Sequence, residues 1–306
     1  MAAVGKVFRY PPLWATLVGA LVAAMGVSFF VFVHSGEAAP REAAADEQPP
    51  YATVSPRIIG GSAVPNGNYP FMVALLDKRK PGGAFQQQFC GGTLIDKDSV
   101  LTAAHCLYRR GVYDRGIELR VVVGRTVLNR NRGQLRSVPR PHRFIHPRYN
   151  GNEGGYVYDA AVINLERPVR GIKPIKLAIA RQNNLEKPGH ILRAAGWGVV
   201  RQRPGPFDVF PVRLHEASVP VVSDSRAKRA YQSLGLKYSP SVMVAAGKKG
   251  KGVCFGDSGG PLFDPGSRTQ VGITSAGVGC ATRIPGIYTE VNNAGIRNFI
   301  LRAAKR

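Results

Sequence analysis

Gly256-Asp257-Ser258-Gly259-Gly260-Pro261-Leu262 is the stretch on which the reading of this chain turns. Glycines on both sides of a serine let the backbone bend sharply and bring neighbouring N–H groups to the surface. Those N–H groups can then face an approaching carbonyl oxygen, as stabilisation of an oxyanion requires. A serine hydroxyl is a weak nucleophile at neutral pH, so such a loop needs a base, and the base needs a partner to orient it. Upstream, Leu101-Thr-Ala-Ala-His105-Cys106 sets a histidine at the end of an apolar run, and Asp159-Ala-Ala-Val-Ile-Asn-Leu165 sets a carboxylate at the mouth of another. Taken singly, the histidine reads as structural and the aspartate as a strand cap.

Together, and in the order His105, Asp159, Ser258, the three segments resemble the chymotrypsin/trypsin family of serine proteases. The likeness runs from Arg57-Ile-Ile-Gly-Gly61 to the C-terminal helix. It implies an all-β fold of two packed six-stranded antiparallel barrels plus that helix, with the catalytic groups in the cleft between the barrels. Ser258 would be the nucleophile, His105 the general base and acid, and Asp159 the group that holds the imidazole. The backbone N–H groups of Gly256 and Ser258 would form the oxyanion hole. Ser275 matches the family serine that supports the buried aspartate. The residue after it departs from the pattern: Ala276 stands where tryptophan is usual, which widens one wall of the second subsite.

The rest of the chain suits that reading. At 306 residues, with 44% hydrophobic and 20% charged side chains, it is globular rather than disordered. No heptad run or collagen-like period is present. Short apolar runs broken by Gly, Pro and Asn predict strands near Phe71–Leu76, Gly92–Ile95, Val100–Ala104, Glu118–Val123, Ala160–Leu165, Val219–Val222, Gln270–Ser275 and Ile287–Val291. Only the C-terminus reads as clearly helical, with Ile296, Phe299, Ile300 and Ala303 on one face behind Asn292 and Asn293.

The formal charge is +23. Residues before Ile58 hold four basic and four acidic side chains, so the excess belongs to residues 58–306, with 38 basic against 15 acidic. Such a body should adhere to anionic surfaces. The arginines are scattered and no nucleic-acid motif accompanies them, so no specific nucleic-acid partner is expected. At the N-terminus, Lys6 and Arg9 in residues 1–12 precede an uncharged run over 13–33. That run suits a single-pass signal anchor somewhat better than a cleaved signal peptide. Either way the protein is exported, and the anchor form would be membrane-bound. Residues 34–57 are rich in Ala, Glu and Pro and read as a linker or propeptide. The protease domain follows over 58–306.

The resemblance also implies details. Cys90 would pair with Cys106 and Cys254 with Cys280, although the sequence alone allows three connectivities. A third family bridge is absent, since Ala245 replaces the expected cysteine. The stretch Arg125–Arg132 offers no acidic cage, so no metal and no cofactor are expected. The family activation site matches Arg57–Ile58: cleavage by an activating protease would free the Ile58 amine to pair with Asp257. The specificity pocket would take its floor from Gly252, its walls from Gly277 and Gly286, and apolar surface from Val253 and Phe255, with Ser275 on the substrate-pairing strand. An acid at position 252 would select Arg or Lys. Glycine there predicts protein and peptide substrates cleaved after large apolar residues, with an acidic preference through Arg283 as the lesser reading. Two other functions compete. A silent, cationic surface-binding homologue would show a broken triad, and this one is intact. An α/β-hydrolase esterase would need the order Ser, Asp, His.

Overall fold

The computed structural model describes residues 58–109, 111–149, 156–181, 183–201 and 208–306. The apolar run 13–33, the linker and Arg57 fall outside these. Among the described residues no helix is long and apolar enough to cross a membrane.

Alternation and burial explain the sheets. The strand His215–Val222 turns His215, Ala217, Val219 and Val221 inward and leaves the residues between them half-exposed, the period-two pattern of a sheet with one wet face. It pairs with Ile191–Gly196, and from there each strand pairs with the next in the order Pro261–Asp264, Thr269–Ala276, Gly286–Glu290 and Met243–Ala246. Met243–Ala246 then returns to pair with Val221 and Val222, closing a six-strand antiparallel barrel. The N-terminal sheet runs Gln134–Ser137, Leu119–Val123, Met72–Asp77, Gln88–Leu94, Ser99–Thr102, Ala161–Asn164 and Arg143–Ile145, curled as a half-barrel. Its strand Met72–Asp77, flanked on both sides, is buried at every position. This is the chymotrypsin-like architecture, with the helix Ala294–Ala303 at the end.

The predicted strands lie where expected, within a few residues. Several further strands and the helix Asp224–Gln232 have no counterpart among the expectations. The two sheets are joined by an aromatic cluster in which Phe263 meets Tyr69 and Phe71 edge-on at 5.2 and 5.6 Å, a favoured geometry for ring pairs. A buried hydrogen bond from Thr93 Oγ1 to Gln270 Oε1 (2.7 Å) also crosses the seam. The terminal helix is capped by Asn293, whose Oδ1 accepts from Ile296 N. Its buried face, Ile296, Ile300 and Ala303, sits against the first sheet, where Asn164 Nδ2 donates to Ala303 O.

Candidate active site

His105 sits on a single 3-10 turn, Ala104–Leu107, directly after the strand Ser99–Thr102. The neighbouring Cys106 is bridged to Cys90 on the adjoining strand, which fixes the turn from its other side. Asp159 lies just before the strand Ala161–Asn164 and is fully buried. The residue before it, Tyr158, takes φ +57°, a costly conformation for a bulky side chain. It is held there by stacking on His146 at 4.8 Å and by the Arg148 guanidinium 4.1 Å above its ring.

From this position the Asp159 carboxylate makes three bonds. Oδ1 accepts from His105 N at 2.8 Å, and Oδ2 accepts from both His105 Nδ1 at 2.7 Å and Ser275 Oγ at 2.5 Å. With Asp159 accepting at Nδ1, the other ring nitrogen is left free to accept a proton. Burial pulls the imidazole pKa down, but the Asp159 charge and hydrogen bond outweigh it and hold His105 above its ordinary value. His105 is only 22% exposed at its side chain, so water competes little for these bonds.

The Ser258 loop is wedged between the sheets. Ser258 O accepts from Gly91 N in the first sheet at 2.7 Å, and Gly259 N donates to Thr274 O in the second at 2.8 Å. A side chain on Gly259, at φ +78°, would run into Thr102 Oγ1 and Gly91 O. The close approach therefore depends on glycine. Gly256 takes φ +93°, and among the described residues no acceptor engages its N–H or that of Ser258. Both groups are therefore available to an incoming oxygen.

Ser258 and His105 line one cleft of about 200 Å³, together with Val253, Phe255, Ser275 and Gly277. Beneath it a smaller cavity is bounded by Gly252, Val253, Gly277 and Gly286. The expected pocket residues thus converge. Arg283 does not: it is exposed and lines neither cavity. The bridge Cys254–Cys280 ties the two walls together. Replacing both cysteines by alanine should lower stability by about 3 kcal/mol and raise KM more than it lowers kcat, as separate melting and kinetic measurements would register.

Several residues went unread in the sequence. Tyr156 packs edge-on to His105 at 5.9 Å and walls the cleft. The buried Tyr288 hydroxyl has no hydrogen-bond partner among the described residues, and its ring lies 3.6 Å from where a Gly286 side chain would begin. Lys248 and Lys251 border the lower cavity. Neither an alternation pattern nor a motif marks any of these.

Asp257 hangs beneath the serine loop, fully buried, its oxygens accepting from Gly198 N at 2.7 Å and Cys254 N at 2.9 Å. Burial pushes its pKa up to about 7, against the pull of those two bonds. No cationic side chain faces it among the described residues. Side chains on Gly196 or Gly198 would collide with the carboxylate. Ile58, also fully buried, lies in the core of the same barrel beside Ala194 and Ala217.

The family model described as Trypsin matches residues 58–299. A trypsin of Saccharopolyspora erythraea is 38% identical over 237 residues, covering 76% of this chain and 93% of the relative. A trypsin-like protease of Streptomyces glaucescens is 35% identical over 243 residues, 77% of this chain and 79% of its own length. A venom protease of Bombus pensylvanicus is 36% identical over 265 residues, covering 81% of this chain and all of the relative. A family model spanning most of the chain, relatives matched over 79% to 100% of their own length and the fold all agree: this chain belongs to the trypsin family and is a serine endopeptidase.

Proposed function

We propose that the protein is an exported zymogen whose 58–306 domain, once cleaved after Arg57, hydrolyses peptide bonds C-terminal to large apolar residues through an acyl-enzyme. Ser258 Oγ attacks the scissile carbonyl while His105 Nε2 takes its proton. The tetrahedral oxyanion is received by the N–H groups of Gly256 and Ser258, each donor typically worth about 3–4 kcal/mol. His105 then delivers the proton to the leaving amine, and water repeats the cycle on the acyl group. Asp159 holds the tautomer and balances the imidazolium. The Asp159–His105–Ser275 hydrogen bonds support these roles.

Export is supported by the apolar run over 13–33 and by two disulfides, which persist in oxidising compartments. Anchorage through that run remains part of the proposal. The zymogen reading rests on Asp257, a buried carboxylate within the oxyanion loop that no cation meets among the described residues.

The observation that carries the apolar preference is Gly252. One relative is named a trypsin and another a trypsin-like protease, but the nearest atoms to a side chain on Gly252 would be those of Ala281, at 3.4 Å and beyond, and among the described residues no carboxylate lines the cleft or the smaller cavity. Burying a substrate guanidinium there without a partner costs several kcal/mol. A second reading, acidic substrates, draws on Lys248 and Lys251 beside the lower cavity. Matched peptides ending in Phe, Val, Glu and Arg discriminate: kcat/KM should be highest for Phe and at least about tenfold lower for Val. Glu first would establish the second reading, and Arg first would refute both.

A further inference from the structure

Away from the cleft, a cavity of about 440 Å³ lies between the strand Arg143–Ile145 and the C-terminal helix. That volume is in the range of about 300–1,000 Å³ in which proteins hold small molecules. Its walls combine two chemistries. Phe144, Ile145 and Phe299 supply apolar surface, and Arg143, Arg302 and Arg306 supply guanidinium groups, with no acidic residue among the lining side chains.

Three features indicate that Arg302 and Arg306 are not there to stabilise the fold. First, the end of the helix is already capped without them: Ala303 O accepts from Asn164 Nδ2 at 3.0 Å, and Ala304 O accepts from Ser99 Oγ at 3.2 Å. Second, neither Arg302 nor Arg306 has a carboxylate within ion-pair reach among the described residues. Arg143, by contrast, is committed to the fold: its Nη2 donates to Ile117 O and Val138 O, both at 3.1 Å, and its side chain engages Tyr113. Third, the positive field is felt nearby. His146, edge-on to Phe299 at 4.9 Å, is held below its ordinary pKa first by burial and then by the charges of Arg148 and Arg302.

The aromatic groups are already arranged for cations and rings, with the Arg306 guanidinium 5.6 Å over Phe144. A bare polyanion would use the arginines but gain nothing from Phe144, Ile145 and Phe299. A neutral hydrophobe would use the walls and leave Arg302 and Arg306 without an anionic partner. We propose that this cavity binds an amphipathic anion, a carboxylate or sulfonate carried on an aromatic or alkyl body. Arg302 and Arg306 would take the anionic head, in the forked geometry that guanidinium offers to such groups. Phe144 and Phe299 would enclose the body.

The test is isothermal titration of the full chain with 2-naphthalenesulfonate, run beside inorganic sulfate, neutral 2-naphthol and dextran sulfate. The proposal expects saturable binding of the sulfonate at least tenfold tighter than sulfate or naphthol. It also expects Arg302→Gln/Arg306→Gln to weaken that binding at least tenfold while kcat/KM on peptides stays unchanged. Phe144→Leu, which keeps the core apolar, should weaken the sulfonate without affecting sulfate. No saturable sulfonate binding, or binding undiminished in the double variant, would overturn the proposal. So would dextran sulfate binding that depends on both arginines while the naphthalenesulfonate does not, since the site would then be a polyanion surface.

Discussion

Asp159→Asn should reduce kcat on a good peptide substrate by about 10⁴-fold while leaving the fold intact. The carboxylate now accepts from His105 N, His105 Nδ1 and Ser275 Oγ. An asparagine oxygen can keep one or two of those bonds, but its amide nitrogen is a donor. Turned toward His105, that nitrogen forces the imidazole proton onto Nε2, where it blocks transfer from Ser258. The variant also removes the charge that raises the His105 pKa. The acid limb of the kcat/KM profile, which should lie above pH 6.5 in the parent, should therefore move downward in the residual activity. Stability changes with the same sign. A histidine whose folded pKa is raised contributes stability that is complete below its unfolded value and lost as pH rises through the folded one. The variant should lose that contribution chiefly in mildly acidic solution. Kinetics across pH 5–9, with melting curves at both ends, check each part. A variant within tenfold of the parent would mean that Asp159 does not orient the base.

Arg57→Gln, which removes the proposed cleavage site, should leave a precursor at least about 10³-fold less active than the cleaved protein, the effect of oxyanion donors that are free of acceptors but not held in place. Among the described residues of the uncleaved chain no cation meets the buried Asp257 carboxylate, and burial pushes its pKa up to about 7, so much of it is protonated at neutral pH. A free Ile58 amine, with an ordinary pKa of about 7.7–8, would supply the missing charge beside it. Pairing raises the amine's pKa and lowers that of Asp257, and it fixes the loop that carries the Gly256 and Ser258 N–H groups. The cleaved enzyme should therefore lose activity as pH rises past the amine's raised pKa, giving an alkaline limb that the precursor lacks. The comparison requires the same chain before and after cleavage, with N-terminal sequencing to show Ile58 exposed. Equal activity in the two forms would remove Asp257 from the activation scheme.

Much of the site was legible because chemistry is local in this fold. His105, Asp159 and Ser258 each sit in a short segment whose residue types serve a single purpose, and their order along the chain matched a known arrangement. What joins them was not legible. Tyr156 walls the cleft from three residues before Asp159, and Tyr288 packs behind the wall residue Gly286 from a strand whose burial marks it only as core. Both roles come from pairing between distant segments. The strands Ile191–Gly196 and Met243–Ala246 were missed for a different reason: their alanines weaken β-propensity, and burial between neighbouring strands makes up the difference. The helix Asp224–Gln232 buries only Ala227 and Tyr231, one turn apart. A highly charged segment with so narrow an apolar stripe reads as solvated loop until Tyr231 is seen donating to Pro285 O at 2.7 Å.

The central claim, that Ser258 is a nucleophile activated by His105, is met most directly by covalent labelling. The protein cleaved after Arg57 is treated with a fluorophosphonate, digested, and mapped by mass spectrometry. The account predicts one adduct, on Ser258, absent in Ser258→Ala and formed at least about 10³-fold more slowly in His105→Ala. An adduct on another residue, or peptide hydrolysis that survives Ser258→Ala, would contradict it.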